Sequence, residues 1–385
     1  MEAAWGIEHF DGRGCIDDLE AGRGQVLLIV GEAGLGKTRM LSELRAMVGD
    51  RATWLEGRCA SHGADAPYGP FMKALRTWLG VVEDDTQLVV RTKLRARAEA
   101  LLGQRSERVV PYLGLMLAVR SDPAFERELL TLSADELAER MRQAYVAWAE
   151  SLASTRPLVV AIDDLNWTDR TTRELAEQLV PLTDRSSFLL AAALRPDPGS
   201  EAWAFRLKLQ AEYAHRVLEV PLPPIAMEAA RELVDALVAP GLIGDADRNE
   251  VVAKAEGNPL FLEELLRALL EAGGGRRTTW TIKAGAAADL PPALESLLVA
   301  RIDRLAPGPR RLAQVAAVVG REFPVAVATA VAESAHPDVD IAALLRAEIV
   351  REINRFPELA CTFRHGLLQE AALSTLTSRG NIPSA

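Results

Sequence analysis

The sequence predicts an α/β protein: a parallel-sheet core, then an all-helical unit, then a winged-helix-like unit. Three observations carry this. Apolar runs at 25–30, 158–162 and 188–194 each stop at a turn and give way to helical spacing, the alternation of a parallel sheet. The stretch Gly31-Glu32-Ala33-Gly34-Leu35-Gly36-Lys37-Thr38 fits G-x-x-x-x-G-K-[ST] and sits between the first run and a helix. After Pro221-Leu222-Pro223-Pro224 the strand signal stops, and two short strand-like runs return only at 349–353 and 360–363.

The elements follow in order. Residues 1–24 are polar and Gly-rich and read as a degenerate lead. Gln25 to Val30 reads as a buried strand, and Met40, Leu41, Leu44 and Val48 give the next segment a helical stripe. A second strand is expected around Thr53-Trp54-Leu55. The core is assigned to 25–220, with a helical excursion over 58–155 that opens on a loop from Ser61 to Pro70. Within it, Ser133 and Glu136 form a capping box ahead of the stripe Leu137, Met141, Tyr145, Trp148 and Leu152, which reads as ordinary core. The basic stretch Arg91 to Arg108, interleaved with Leu94, Ala98, Leu101 and Leu102, reads as the solvated side of a helix. Pro157 ends the excursion, and Leu158 to Ile162 is a strand that runs into Asp163-Asp164. A helix follows through Leu175, Leu179 and Val180, and the strand Phe188 to Leu194 ends at Arg195-Pro196. A helical lid and linker are assigned to 221–288, passing Gly273-Gly274-Gly275, and the winged-helix-like unit to 289–385. Its helices are expected near 292–305, 309–319 and 340–347, with a last one from Arg364.

These elements collect chemistry at one edge. In parallel α/β sheets ligands bind outside the carboxyl ends of the strands, where the glycine loop, Asp163-Asp164 and Arg195 all fall. A strand, glycine loop and helix aim backbone N–H groups and a helix N-terminus at an anion. Lys37 is then placed for the β- and γ-phosphates of a nucleotide and the Thr38 hydroxyl for Mg²⁺. Asp163 is assigned to the Mg²⁺ hydration shell, and Asp164 to orienting or deprotonating the attacking water. Arg195 suits a γ-phosphate, because its charge is permanent and its donors form a planar fork. The plainer readings are helix capping for the acids and a surface position for the arginine.

Four blocks add a resemblance. The glycine loop, Ile162 to Asp169, Glu256 to Leu265 and Phe363 to Glu370 resemble, in this order, the motifs of bacterial STAND ATPases, signal-transduction ATPases of the wider AAA family and Orc-like in their module. Such modules occur in large regulators fused to a LuxR-type DNA-binding domain or a class III nucleotide cyclase domain. The resemblance implies a P-loop NTPase core, ATP/ADP and Mg²⁺ as cofactors, and a slowly hydrolysing switch. It implies that Pro259 packs near the adenine and that His365 senses the β-phosphate in an ADP state. Locally, Gly257-Asn258-Pro259-Leu260 suffices as a helix-breaking turn, and His365 reads equally well as a hydrogen-bonded core histidine. The family's Phe-x-Gly-Arg box is matched by Phe10-Asp11-Gly12-Arg13. Only Gly14 to Gly24 then precedes the strand, so the family's helix there reads as deleted or scrambled. Where the related eukaryotic motif has Asp after the histidine, this chain has Gly366. The C-terminal unit reads as truncated, with DNA contact expected only through a missing output domain.

Composition narrows the alternatives. The 385 residues carry a formal net charge of −10, which supplies no basic field for nucleic acid. Cys15, Cys59 and Cys361 are far apart and lack metal spacing, which fits a reducing cytoplasm. No signal peptide and no apolar run of the ~18 residues a membrane span requires are visible. The competing readings are a nucleotide-binding scaffold without turnover, an Orc-like DNA-binding ATPase, and, more weakly, a nucleotide kinase. A homo-oligomer is expected for the ATP state.

Overall fold

The computed structural model describes residues 12–59, 67–82, 84–120, 123–239, 242–271, 292–354 and 358–377. Phe10-Asp11, most of the loop from Ser61, the linker 273–289 and the stretch beyond 377 lie outside the described residues. Five strands form one parallel sheet: β1 (Gln25–Val30), β2 (Thr53–Arg58), β3 (Leu158–Asp163), β4 (Phe188–Leu194) and β5 (Val217–Pro221). Their spatial order is β2-β3-β4-β1-β5, so the glycine loop leaves a central strand beside the strand that ends at Leu194. Val26 to Ile29 and all of β4 are fully buried, which is why these runs read as continuous apolar sequence.

Helices cover both faces. On one face α1 (Gly12–Glu20) and α2 (Lys37–Val48) bury Ile16, Leu19, Leu41 and Leu44 against Leu27, Ile29, Val159 and Leu189. The nine-residue α1 corrects the expectation of a missing helix: three or four apolar positions suffice because the sheet supplies the rest of the interface. On the other face lies the excursion, with α3 (Gly69–Leu79), α4 (Gln87–Leu102), α5 (Ser106–Met116), α6 (Pro123–Leu129) and α7 (Ala134–Thr155). The capping box at Ser133 and Glu136 starts α7, whose Tyr145 and Trp148 are fully buried among Phe71 and Trp78. α8 (Arg170–Leu179) and α9 (Glu201–Glu212) complete this layer.

Sequence pattern alone missed β5. It is the sheet edge, its Leu218 is only partly buried, and Glu219 breaks its apolar run. The chain then enters α10 (Met227–Leu237), α11 (Asp245–Ala255) and α12 (Pro259–Glu271), the expected all-helical segment. Beyond it come α13 (Pro292–Asp303), α14 (Pro307–Val319), β6 (Glu322–Pro324), α15 (Val325–Val331), α16 (Pro337–Arg346), β7 (Val350–Asn354), β8 (Ala360–Phe363) and α17 (Gly366–Thr377). β6, β8 and β7 make a small antiparallel sheet in that order. β6 and α15 are too short to announce themselves by periodicity. The helices after β5 and this C-terminal unit share one hydrophobic core, from Ile225 and Leu262 to Phe363 and Leu368. That core also touches Ala33 of the glycine loop.

Candidate nucleotide site

A cavity of about 600 Å³ opens at the carboxyl edge of the large sheet, within the size range of small-molecule sites. Its floor is the glycine loop and the start of α2. Gly34 and Gly36 adopt φ of 85° and 94°, the left-handed region open to glycine at little cost. At Gly34 a Cβ would also lie 2.5 Å from the Asn258 Oδ1 atom, so the loop has no room for a side chain there. Lys37 begins α2, is buried, and its Nζ donates to the Gly31 and Glu32 carbonyls, both at 2.8 Å. Burial, with Arg195 nearby, pulls the ammonium down to about 8, so it remains protonated at neutral pH.

The acids meet this floor from β3. The Thr38 hydroxyl donates to Asp163 Oδ2 at 2.9 Å, across 125 residues of sequence. Asp163 is 1% exposed and lies opposite Arg58 in the β2–β3 register. Arg58 Nε donates to Asp163 Oδ2 at 3.0 Å, and a second guanidinium nitrogen binds the same oxygen. Burial opposes ionisation of Asp163, but Arg58, Arg321 and Thr38 overcome it and hold the carboxyl below its usual range. Asp164 turns out of the strand at φ 55° and lines the cavity. Its Oδ2 accepts from Arg321 Nη1 at 2.9 Å and has Arg58 Nε at 3.5 Å. Among the described residues no group of three or more His, Cys, Asp or Glu side chains is placed to hold a metal. The Thr38–Asp163 pair fits Mg²⁺ of the kind that takes one or two protein oxygens and completes its shell with phosphates and water.

Arg195 sits at the end of β4. Its guanidinium binds Glu370 of α17 at 3.1 Å and lies 5.8 Å from the Trp167 ring centroid. Asn166 brackets it by accepting from the Arg195 N–H and donating to the Arg195 carbonyl. The roof comes from later elements. Leu233 and Leu237 of α10 with Pro259 and Leu260 of α12 give an apolar end, and Glu263 adds a carboxylate that burial pushes upward. Asn258 Nδ2 donates to the Ala33 carbonyl at 2.9 Å, tying this roof to the loop. His365 lines the opposite wall; burial, then Arg364 and Arg321, pull it down to about 4, so the imidazole is neutral at pH 7.

The structure thus gathers Ala33, Gly34, Gly36, Lys37, Thr38, Asp164, Arg195, Pro259 and His365 on one cavity, with Asp163 beneath Thr38. Gly31, Glu32 and Leu35 do not line it: Leu35 packs in the core and Glu32 is exposed. Arg13 is exposed on α1. Sequence reading passed over Arg58, Asn258, Arg321 and Glu370. Arg58 carried one signal, its position at the end of a strand that pairs with the acidic one. Six cationic side chains, Lys37, Arg39, Arg195, Arg321, Arg351 and Arg364, face three carboxylates in the cavity lining. An anionic ligand suits this excess, although the whole chain is acidic.

Residues 13–192 match the family model described as AAA ATPase domain. An uncharacterised protein of Rhizobium meliloti (strain 1021) is 26% identical over 362 residues, covering 92% of this chain and 33% of that protein. The chain therefore spans about a third of that relative's length. Among solved structures, the STAND protein with a tetratricopeptide repeat sensor from Pyrococcus horikoshii is similar over 96% of this chain and 43% of its own, at 13% identity and TM-score 0.47. The Aeropyrum pernix ORC2 protein, solved as ADPNP–ADP complexes, is similar over 95% of this chain and 91% of its own, at 11% identity and TM-score 0.39. The segment that matches the AAA ATPase domain model contains the glycine loop, both acids, β1, β2, β3 and most of β4.

Proposed function

We propose that this chain is a nucleotide-operated switch module of a signal-transduction ATPase. In this reading 25–220 is the nucleotide-binding core, 221–288 the lid and linker, and 289–385 a winged-helix-like unit, with 1–24 as the lead. One observation carries it: Lys37, the Thr38–Asp163 pair and Asp164 meet at a cavity that the lid and C-terminal unit close with Pro259, His365 and Arg321.

Bound Mg²⁺-ATP would supply the phosphoanhydride and the metal charge. Lys37 would exchange its two loop carbonyls for phosphate oxygens, its ammonium already aimed along the loop. The left-handed glycines keep the loop backbone free of side chains where phosphate approaches. Thr38 and Asp163 would hold the metal, and Asp164 would accept the proton of the attacking water. Arg195 would stabilise charge on the transferred phosphoryl group once released from Glu370. Leu233, Leu237, Pro259 and Leu260 would cover the base. Neutral His365 retains one N–H for a phosphate oxygen.

A second reading is favoured by a specific observation. Both acids are occupied by arginines, Asp163 by Arg58 and Asp164 by Arg321. A site so neutralised suits tight ADP retention without turnover. One experiment separates the two: identify nucleotide released from purified protein on denaturation, then follow phosphate release under single-turnover conditions with Mg²⁺-ATP. The switch predicts retained ADP and slow but measurable turnover. The scaffold predicts retained ADP and none. Absence of any nucleotide affinity by calorimetry removes both.

A further inference from the structure

Arg321 is placed by the C-terminal unit, not by the core. It immediately precedes β6, and its carbonyl accepts from the Phe363 N–H at 2.9 Å, fixing its backbone to β8. Its side chain leaves that small sheet, is mostly covered at 16% exposure, and reaches Asp164 Oδ2 at 2.9 Å across 157 residues. Burial and then Arg58 oppose its charge, and Asp164, Asp163 and Glu322 favour it. The side chain passes the start of α17, where a helix N-terminus favours negative charge. It lies close to Arg58, and its buried Nε has no hydrogen-bond partner among the described residues. Asp164 is the partner that compensates for this placement. Gly366 lies beside this path: a Cβ there would stand 3.1 Å from Arg321 Nη1, so the guanidinium would have to shift by a few tenths of an ångström.

From this geometry we propose that Arg321 is a positioning residue that acts through Asp164: docked, it ties the carboxylate to the C-terminal unit and withholds it from the attacking water. Undocking of that unit frees Asp164. The inference rests on the reading of Asp164 as the group that handles that water. The pair couples catalysis to domain position through a direct protein contact, so it restrains the site whether or not nucleotide is present.

Two measurements on the full chain test it. In steady-state hydrolysis, Arg321→Gln raises kcat by about tenfold, the scale of a lost charged hydrogen bond, with KM for ATP little changed. Arg321→Lys keeps a cation at the acid and stays near wild type. A purely structural role predicts the reverse, a lower kcat and a lower melting temperature. In nucleotide-free protein, hydrogen exchange is compared for wild type, Arg321→Gln, Asp164→Asn and the double variant. Each single substitution should speed exchange in 164–168 and in 320–324 equally, and the double should add nothing. Additive effects, or unchanged exchange in both singles, overturn the pair as a latch. Unchanged or lower kcat in a well-folded Arg321→Gln protein overturns its restraint on turnover. If the wild-type chain binds no nucleotide, the functional reading fails, and the exchange cycle still decides whether the latch exists.

Discussion

The floor and the roof of the cavity are built by different means. The floor is one contiguous stretch, residues 31–38, whose geometry follows from two glycines, a buried strand behind and a helix ahead. The roof and walls are assembled from three distant places, Asn258 and Pro259 at the start of α12, Arg321 before β6, and His365 and Glu370 at α17. A local motif fixes where an anion binds. Long-range pairs hold the later elements against it. The two halves should therefore respond differently to substitution, the floor through affinity for every nucleotide and the roof through discrimination and timing.

Loss of the floor cation should have the largest effect. Lys37→Ala is expected to abolish ATP and ADP binding alike, because no other side chain projects from the loop to replace its charge. Titration calorimetry checks this, and retained affinity would dissolve the distinction between floor and roof. Next comes the acid that faces the cavity. Asp164→Asn should keep Mg²⁺-ATP binding and stop turnover, whereas Asp163→Asn should weaken the Mg²⁺ dependence of binding. Equilibrium titrations at several Mg²⁺ concentrations, run beside phosphate release, separate the two acids.

The roof should show smaller, selective effects. His365→Ala is expected to release ADP about ten- to a hundredfold faster, the scale of a hydrogen bond to a charged group, with ATP affected much less. Stopped-flow release of a fluorescent ADP analogue measures it. An equal loss for both nucleotides would reduce His365 to packing. Asn258→Ala removes the bond to the Ala33 carbonyl and should loosen the lid by about 1 kcal/mol. That change would appear as faster hydrogen exchange at the start of α12 in nucleotide-free protein.

The smallest expected effect is one of pH. His365 ordinarily titrates near 6.5 and is pulled down to about 4 by burial and by Arg364, Arg321, Arg301 and Arg267. The unfolded chain therefore binds a proton that the folded chain refuses. Stability is fully present above about 6.5 and is lost as pH falls toward about 4. Melting temperatures of nucleotide-free protein between pH 7.5 and 4.5 should fall less steeply for His365→Gln than for wild type.

The same contrast explains what the sequence disclosed. Val26 to Ile29 and Phe188 to Leu194 are buried on both faces, so composition alone marks them as strands. Asp163 and Asp164 were legible because they interrupt such a run. β5 was not, because an edge strand needs only half an apolar face and Glu219 pairs outward with Arg206. α1 escaped notice because three buried residues, Cys15, Ile16 and Leu19, anchor it to a surface built elsewhere. Arg58 and Arg321 carry no local signature: each is one arginine among many until the fold brings it to an acid. Glu370 lay inside a recognised block, yet its partner, Arg195, is 175 residues away.

One modest bond ties the lid to the glycine loop. Where β5 ends, the Leu222 N–H donates to the Val30 carbonyl at 2.7 Å, and a Cβ on Gly31 would lie 2.9 Å from the Leu222 Cβ. The segment that leads into the lid is thus pinned at the root of the glycine loop, one residue from where the loop begins. A shift of the loop root is therefore passed straight to the chain that enters α10, because the Leu222–Val30 bond and the Leu222–Gly31 contact leave no slack between them.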